Sequence, residues 1–442
     1  MVRVLDADGK TMAFPIQQDT LPDTLLGTDV LGRGKTGSGK TLAFAIPLVS
    51  RLGEKYGSGT RTAGAPRALV LAPTRELATQ IDAVLKPLAA AYGMTTMTIF
   101  GGVGARPQIS TLKRGVDVVV ACPGRLEDLI SQRALKLDSV ETTVLDEADH
   151  MADLGFLPAV TRLIAQTPQR GQRMFFSATL DNGVDKLVKR FLNDPVLHTV
   201  DDPNSHVAAM THHVFEVEHE EKKQVVKHLA SGQGRRILFT RTKHQAKKLA
   251  KQLTDQGIPA VDLHGNLSQP QRDRNLAAFG GDGVRVLVAT DVAARGVHVD
   301  SVELVVHVDP PAEHKAYLHR SGRTARAGSA GDVVTVMLPD QRKDTQILLR
   351  KANISASPVT VTTGSPEVAD LVGAIADHVT PQPKQPQPNR AGGPHRGQPK
   401  RAHQPRGGAR GGRGARSGDG RRDASRGASA QRRRPARQGG RS

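Results

Sequence analysis

Two series of short apolar runs, each alternating with segments of helical periodicity, constrain the fold of this chain more than any other feature. Strands that alternate with helices are typical of βαβ units and a parallel sheet. The sequence therefore predicts an α/β fold with two tandem parallel-sheet domains. The predicted strands are residues 29–32, 68–72, 96–100, 117–120, 143–145 and 174–176 in the first series, and residues 236–240, 260–263, 286–289, 304–307 and 333–337 in the second.

The two series are separated by residues 193–210, which have little periodicity and contain two Asp-Pro dipeptides. Proline and aspartate favour turns and interrupt regular structure. We therefore expect a first domain over residues 1–195, a linker over residues 196–211 and a second domain over residues 212–375.

The remaining residues, 376–442, are predicted to be a disordered tail that is first Pro-rich and then Arg/Gly-rich. Residues 381–442 contain 17 Lys and Arg, 2 Asp, 13 Gly and 8 Pro, but no Val, Ile, Leu, Met, Phe, Tyr or Cys. Such a segment has no apolar surface whose burial could offset the entropy of ordering it. It carries +15 of the total charge of +19. One interpretation is a solubilising tail; we favour a nonspecific RNA-binding tail, because guanidinium groups pair with phosphates and stack on bases.

Composition excludes several classes of protein. The only cysteine, Cys122, cannot form an internal disulfide, and no group of Cys and His residues has zinc-ligand spacing. The chain has no signal-peptide pattern at its start and no run of 18 apolar residues. We expect a cytoplasmic protein that does not bind a membrane.

Residues 34–41, Gly-Lys-Thr-Gly-Ser-Gly-Lys-Thr, fit the phosphate-binding loop in which a glycine and four residues precede Gly-Lys-Thr. Glycines allow backbone N–H groups to converge on phosphate oxygens, and a helix beginning near Lys40 directs its positive end at them. Lys40 is expected to neutralise phosphate charge, and Thr41 to ligate Mg²⁺. The nucleotide-binding residues predicted in this loop are Gly34, Thr36, Gly37, Ser38, Gly39, Lys40 and Thr41.

An acidic pair follows the predicted strand at residues 143–145. Carboxylates at the carboxyl end of a strand face the crevice in which open α/β sheets bind ligands. Asp146 comes first after the strand and is the predicted Mg²⁺ ligand, together with Thr41. Glu147 is the predicted group that polarises the attacking water in NTP hydrolysis.

The tetrapeptide Asp146-Glu147-Ala148-Asp149 is the one that names the DEAD-box RNA helicases, and other segments resemble that family's motifs in the family's order. The resemblance extends over about residues 14–331. The segments that carry it are Pro-Thr-Arg-Glu-Leu-Ala at 73–78, Gly-Gly at 101–102, Pro-Gly-Arg at 123–125, Ser-Ala-Thr at 177–179, and the segments 237–242, 269–272, 289–296 and 319–326.

This resemblance implies two RecA-like domains with ATP bound in the cleft between them. Hydrolysis then requires closure, with Arg323 and Arg326 acting as arginine fingers on the transferring phosphoryl group. Asp291 would reach the ribose or the phosphates, and Gln17 would read the adenine edge. The implied cofactors are ATP and Mg²⁺, and the predicted catalytic residues are Lys40, Asp146, Glu147, Arg323 and Arg326.

The family also implies sequence-independent contacts with the backbone of single-stranded RNA or a short duplex. The predicted RNA-binding residues are Thr74, Arg75, Gly102, Gly124, Arg125, Thr240, Gln269, Arg272 and Thr290. The residues expected to couple hydrolysis to strand separation are Asp149, Ser177, Thr179 and His319. We expect a monomer that acts in ribosome assembly or RNA decay.

The resemblance implies an RNA-stimulated ATPase that locally unwinds short RNA duplexes or remodels RNA–protein complexes. An ATP-gated RNA clamp with little unwinding activity is the alternative. A DNA helicase of the same broad superfamily is disfavoured by the combination of Asp-Glu-Ala-Asp with Ser-Ala-Thr.

Three departures from the family pattern qualify this interpretation. The aromatic residue expected about 17 positions before Gln17 is missing, so either the true start lies upstream of Met1, which we favour, or adenine is bound with less stacking. Cys122 stands where threonine is usual, and is a candidate reactive thiol or a small apolar filler. His298 stands where aspartate is usual, which brings the coupling of that segment to RNA into question. We favour an uncharged surface role for His298 over one as a group that titrates near neutral pH.

Removal of residues 381–442 is expected to weaken RNA binding and to flatten the dependence of log Kd on log salt concentration. Each lost phosphate contact to a single strand lowers that slope by about 0.7. Binding titrations of the full and shortened chains over a salt series measure the effect. An unchanged slope would mean that the tail takes no part in RNA binding.

Overall fold

The two predicted series of strands form two separate sheets of seven strands in a computed structural model of the chain. Within each sheet every pair of neighbouring strands is parallel. The residues that the structure describes are 1–34, 38–56, 59–181, 183–200, 210–294, 299, 301–325 and 330–380.

The first sheet has the strand order β3-β4-β2-β5-β6-β1-β7. Its strands are β1 (Val30–Arg33), β2 (Ala68–Leu71), β3 (Thr96–Ile99), β4 (Val118–Ala121), β5 (Thr142–Leu145), β6 (Gln172–Ser177) and β7 (Val196–Thr199). The helices of this domain are α1 (Val2–Ala7), α2 (Pro15–Leu26), α3 (Lys40–Tyr56), α4 (Arg75–Ala90), α5 (Ala105–Lys113), α6 (Pro123–Ser131), α7 (Ala148–Asp153), α8 (Leu157–Ile164) and α9 (Val184–Phe191).

Both faces of this sheet are covered, which is why β2 and β4 are continuous apolar runs rather than alternating ones. All four residues of β2, β4 and β5 are buried. On one face Phe44 of α3 packs against Phe176 of β6, with ring centroids 5.5 Å apart. Gly32 of β1 lies beneath that ring, since a Cβ there would be 2.5 Å from a Phe176 ring atom. A glycine in β1 therefore allows the ring to pack directly against the sheet.

The second sheet has the strand order β10-β11-β9-β12-β13-β8-β14. Its strands are β8 (Met210–Glu216), β9 (Arg235–Phe239), β10 (Ala260–Leu263), β11 (Val286–Ala289), β12 (Val302–His307), β13 (Gly331–Met337) and β14 (Pro358–Thr360). Its helices are α10 (His219–Leu229), α11 (Lys243–Asp255), α12 (Gln269–Gly280), α13 (Asp291–Ala294), α14 (His314–Ser321), α15 (Arg342–Lys351) and α16 (Pro366–Val372), with a 3-10 turn at Pro339–Gln341.

One side of the second core contains a cluster of two histidines and a tyrosine beneath α14. His307 is fully buried, and its ring lies edge-on to that of Tyr317 with centroids 4.8 Å apart. The Tyr317 hydroxyl is 3.0 Å from Nδ1 of His212. Burial lowers the pKa of His307 well below its usual value, and burial followed by the charge of His213 lowers the pKa of His212 to about 4. Both rings are therefore neutral in the folded protein near neutral pH.

Each predicted strand is present, with ends that differ by at most two residues. The structure adds three strands that the sequence did not predict, β7, β8 and β14, each at or next to the edge of a sheet. In the described part of the chain, none of the helices is both long enough and apolar enough to span a bilayer.

The predicted domain boundaries need two corrections. The linker was expected over residues 196–211, but residues 196–199 form β7, which hydrogen bonds to β1 and so extends the first sheet. β8 already begins at Met210. The tail was expected from residue 376, but the N–H of Ala376 donates to the Ser231 carbonyl and that of Val379 to the Gly257 carbonyl. These bonds attach residues 376–379 to the second domain.

The histidine cluster predicts that the protein loses stability in acid. The unfolded chain binds a proton at His212 below pH 6.5, whereas the folded chain does so only near pH 4. The free energy of unfolding is therefore expected to fall as pH drops through this window, by about 3 kcal/mol for His212. Denaturant unfolding at several pH values measures this, and His212→Gln should reduce the fall. His219→Gln, at an exposed position, is the matched control and should retain it.

Candidate active site

The predicted nucleotide-binding residues converge because β5, β6 and β1 are neighbours in a parallel sheet, so their carboxyl ends lie at one edge. Gly34 follows β1, Asp146 follows β5, and Ser177 ends β6. The Gly34 N–H donates to the Ser177 carbonyl at 3.3 Å. Three segments that are distant in sequence thus meet at one place.

Lys40 is the first residue of α3, as predicted, and its side chain is buried. Its Nζ donates to the Gly34 carbonyl at 2.5 Å, so the ammonium lies within the predicted phosphate loop. Gly39 has φ +91°, a left-handed conformation that favours glycine. Of the other predicted loop residues, Ser38 and Thr41 flank the start of α3, whereas Thr36 and Gly37 lie outside the described residues.

Gln17, predicted to read adenine, is buried beside this loop. Its Nε2 donates to the Gly39 carbonyl at 2.9 Å, and its Oε1 accepts from the N–H of Phe14 at 3.0 Å. A Cβ on Gly39 would lie 2.6 Å from Nε2. Gln17 therefore holds the phosphate loop against α2 directly.

Asp146 is only 2% exposed, and its Oδ1 accepts the N–H of Glu147 at 3.0 Å. Burial raises the pKa of Asp146 above its usual value, while the charge of Lys40 acts in the opposite direction. A buried carboxylate in contact with few donors is stabilised by a nearby cation. This site fits Mg²⁺, because Asp146 and the hydroxyl of Thr41 would supply oxygen ligands of the kind that the ion prefers.

Glu147 adopts a left-handed backbone conformation, with φ 50° and ψ 54°, immediately before α7. Its Oε2 lies 3.1 Å from Nδ1 of His150. Burial alone would raise the pKa of Glu147, but the His150 hydrogen bond and the charges of His150, Lys40 and Arg323 together hold it below its usual range. Glu147 is therefore a carboxylate at neutral pH, able to accept a proton or hydrogen bond from water.

Asp149, Ser177 and Thr179, the predicted coupling residues of the first domain, form one hydrogen-bonded network. The hydroxyl of Ser177 accepts the Asp149 N–H at 3.2 Å and donates to the Thr179 carbonyl at 2.6 Å. The Thr179 N–H donates to the Asp149 carboxylate at 3.1 Å. The Asp-Glu-Ala-Asp and Ser-Ala-Thr segments are thus joined through three bonds, so displacement of one will displace the other.

The second domain contributes α14 to this region. Arg323 follows α14 and is buried, with its Nε donating to the carbonyl of His319 at 3.3 Å. Its positive charge contributes to lowering the pKa of Glu147. Arg326, the other predicted arginine finger, lies outside the described residues.

Asp291 was expected to reach the nucleotide, but in the structure its carboxylate forms a two-pronged ion pair with Arg320. The second bond of that pair, from Nη2 to Oδ2, is 2.8 Å long. Arg320 also lies over the ring of Phe239, 5.2 Å from its centroid. The pairing of Asp291 with Arg320 was not predicted from the sequence, although Arg320 lies in the motif at 319–326. The spacing of residues within a motif does not show which residue elsewhere in the chain each of them contacts.

Gln269 and Arg272 were predicted to bind RNA, but the structure buries both against the first domain. Nε of Arg272 donates to the carboxylate of Glu76 at 2.7 Å, and Nε2 of Gln269 donates to the same oxygen at 3.2 Å. Arg75, also predicted to bind RNA, donates to Oε1 of Gln269 at 2.9 Å. Burial would raise the pKa of Glu76, but the hydrogen bond and charge of Arg272 hold it below its usual value. These side chains join the two domains.

The other predicted RNA contacts of the first domain remain accessible. Gly102 and Gly124 are exposed, and nothing lies within 4 Å of a Cβ built at Gly124. At Gly102, which has φ +78°, a Cβ would lie 2.1 Å from the Arg75 guanidinium. Arg125 donates to the Val103 carbonyl at 3.1 Å, and Thr74 caps α4 by accepting from Leu77 N at 3.2 Å.

Two predicted contacts in the second domain lie at the matching edge of its sheet. Thr240 follows β9 and Thr290 follows β11. The Thr240 side chain is buried, and its hydroxyl donates to the Thr242 carbonyl at 3.3 Å. Thr290 caps α13, since its carbonyl accepts the N–H groups of Ala293 and Ala294.

The surroundings of Cys122 decide whether this residue, one of the departures noted in the sequence, is a reactive thiol or a small apolar filler. Burial, followed by the charge of Glu76, raises the pKa of the Cys122 thiol to about 12. A thiol of this kind is not reactive, so Cys122 acts as a small apolar filler packed against the core of the first domain. His298 lies outside the described residues.

Comparison with known proteins decides the family. The DEAD/DEAH box helicase family model matches residues 14–187, and the helicase conserved C-terminal domain model matches residues 220–328. The DEAD-box ATP-dependent RNA helicase CshA of Geobacillus kaustophilus is 36% identical over 341 residues, which are 77% of this chain and 72% of that protein. This chain belongs to the DEAD-box ATP-dependent RNA helicases.

A second relative and a solved structure support the same family and fold for this DEAD-box chain. The chloroplastic DEAD-box ATP-dependent RNA helicase 3A of Zea mays is 40% identical over 386 residues. The matched region is 86% of this chain but only 51%, about half, of the maize protein. A structure of S. cerevisiae Dbp5 bound to RNA and ADP BeF3 has a TM-score of 0.72 at 26% identity, covering 84% of this chain and 97% of Dbp5. These matches confirm the tandem RecA-like fold.

The ion pair between Glu76 and Arg272 generates a prediction about domain closure in this DEAD-box chain. Arg272→Gln leaves the buried Glu76 carboxylate without its cation, which costs about 3 kcal/mol. We expect the variant to favour separated domains, as measured by energy transfer between a fluorophore on each domain. Glu76→Gln combined with Arg272→Gln removes both charges and should close more readily than Arg272→Gln alone. Additive effects of the two substitutions would contradict a direct pair.

Proposed function

We propose that this protein is an ATP-dependent RNA helicase that hydrolyses ATP when RNA is bound. The hydrolysis cycle separates short RNA duplexes locally or remodels RNA–protein complexes. Membership of the DEAD-box family supports this activity, and the arrangement of charged groups across the cleft supports the mechanism.

The observation that carries the proposal is the ion pair between the domains, in which Nε of Arg272 donates to the Glu76 carboxylate at 2.7 Å. The charge of Arg323 helps to keep Glu147 ionised. A second bridge joins the domains nearby, where Lys315 Nζ lies 3.0 Å from the Asp181 carboxylate. A carboxylate base and an arginine that approach only when the domains meet support hydrolysis that depends on closure.

The residues of the cleft have distinct roles in this proposal. Lys40 neutralises phosphate charge. Thr41 and Asp146 would hold Mg²⁺, which would supply further positive charge beside the phosphates. Glu147 orients water and accepts its proton. Arg323 and Arg326 stabilise the transferring phosphoryl group. Gln17 fixes the loop and selects adenine.

The proposed RNA site uses exposed glycines and half-buried polar residues along the carboxyl edges of both sheets, chiefly Arg75, Gly102, Gly124, Arg125 and Thr290. Hydroxyl, guanidinium and glycine groups suit a sugar-phosphate backbone and do not read bases. The Dbp5 structure, which contains RNA and ADP BeF3, supports a nucleotide-dependent RNA site in this family. Cytoplasmic location, a monomeric state and a place in ribosome assembly or RNA decay remain predictions.

An ATP-gated RNA clamp is the second candidate function. It is favoured by the buried ion pair between Arg272 and Glu76, which stabilises contact between the two domains. A more stable contact between the domains would hold the closed state, and with it the bound RNA, for longer.

Glu147→Gln is expected to lower ATP turnover by at least about 100-fold while preserving ATP-dependent RNA binding. The amide keeps the shape of the carboxylate but cannot accept a proton from water. RNA-stimulated phosphate release and filter binding with ATP measure the two properties. Retained hydrolysis would contradict the role assigned to Glu147.

Glu127→Gln is the matched control, because Glu127 pairs with Arg162 at 2.8 Å on the surface and takes no part in the cleft. Its turnover should equal that of the wild type. Strand separation by the wild type, followed with a short labelled duplex, distinguishes the two candidate functions. A clamp would bind RNA and hydrolyse ATP without releasing the strand.

A further inference from the structure

The exposed face of α11 in the second domain is strongly basic. Its opposite face is apolar, with Ala246, Ala250 and Leu253 buried in the core. Three of its lysines follow one another at intervals of four residues, so they form a single row along the helix with a spacing of about 6 Å. The exposed basic residues of α11 are Lys243, His244, Lys247, Lys248 and Lys251.

Little negative charge offsets this face. Lys251 pairs with Asp255 at the end of the helix, and both side chains are largely exposed, so the pair is weak. Lys243 Nζ donates to the side-chain amide oxygen of Asn266 at 3.1 Å, which leaves its charge in place. Among the described residues, no carboxylate lies within salt-bridge distance of Lys247 or Lys248. The face therefore presents unneutralised positive charge.

The first turn of α11 lies at the proposed RNA-binding edge. The helix begins directly after Thr240 and β9, and the Thr240 N–H donates to the Ala289 carbonyl at the end of β11. Asn266, which Lys243 contacts, follows β10 at the same edge. The row of lysines thus starts where the RNA groove of the second domain is proposed to lie.

The other end of α11 lies where the arginine-rich tail leaves the domain. The N–H of Val379 donates to the carbonyl of Gly257, two residues beyond the helix, at 3.0 Å. A Cβ on Gly257 would lie 2.0 Å from the ring of His378, so glycine is needed for this approach. The Ala376 N–H donates to Ser231 at 2.9 Å, which fixes the same segment. Residues 381–442, with a net charge of +15, follow directly.

We propose that the exposed face of α11 is a binding track for the phosphate backbone of RNA, leading a strand from the cleft edge to the root of the tail. The helix of 13 residues is about 20 Å long. A row of flexible ammonium groups pairs with phosphates without reading bases. This inference rests on the proposed function, and it extends the RNA site beyond the motifs of that function.

The test uses the full chain and two RNA probes, a uridine hexanucleotide and a uridine strand of about 30 nucleotides. The measured quantity is the Kd of the hexanucleotide divided by the Kd of the long strand. This ratio reports how much contacts outside the cleft strengthen binding of the long strand. The track variant combines Lys247→Gln, Lys248→Gln and Lys251→Gln. We expect it to lower this ratio about tenfold and to reduce the salt slope for the long strand by about 2.

Two further variants keep the result interpretable. Lys343→Gln, Arg350→Gln and Lys351→Gln together remove the same charge from α15, which packs on the opposite face of the second sheet. This control should retain the wild-type ratio. Replacing the three α11 lysines by arginine retains the charge and should also retain the ratio.

An unchanged ratio in the glutamine variant would overturn the proposal. The exposed face of α11 would then be a solvated surface or a binding site for an acidic protein. An equal loss in the α15 control would overturn it too, because the effect would then be one of total charge. Failure of the proposed helicase function can be distinguished from failure of the α11 proposal. In the first case the wild type would show no ATP hydrolysis stimulated by the hexanucleotide.

Discussion

The parallel direction of every strand pair in both sheets is the constraint on which the rest of the structure depends. Parallel strands require helical crossovers, which cover both faces of the sheet and leave its carboxyl edge as the place where polar groups can collect. In the first sheet the adjacency of β1, β5 and β6 brings Gly34, Asp146 and Ser177 together. In the second sheet the same geometry aligns Thr240 with Thr290.

The charges at these edges are buried, and each depends on a cation from another segment. Lys40 offsets Asp146, His150 and Arg323 stabilise the ionised form of Glu147, and Arg272 does so for Glu76. Two of these cations belong to the second domain. Contact between the domains is therefore electrostatically favourable, because it supplies positive charge to carboxylates that the first domain holds out of water.

Local pattern was sufficient for most of the fold and for part of the site. Fully buried strands such as β4 were predictable because both faces are apolar, whereas β7, β8 and β14 lie at or near sheet edges and lack continuous apolar runs. Lys40, Asp146 and Glu147 were found from spacing alone. The pairing of Glu76 with Arg272 could not be found in this way, since 196 residues separate them and their contact depends on the arrangement of the domains.

The attachment of residues 376–379 to Ser231 and Gly257 has a consequence for how often the protein meets its RNA. A polycation fixed at one point of the surface has a high effective concentration near that point, in the millimolar range for a short flexible connection. If the tail binds RNA as predicted, an RNA that leaves the cleft would be recaptured faster than it diffuses away. Repeated local cycles on one molecule would follow from tethering, without any movement of the protein along the strand.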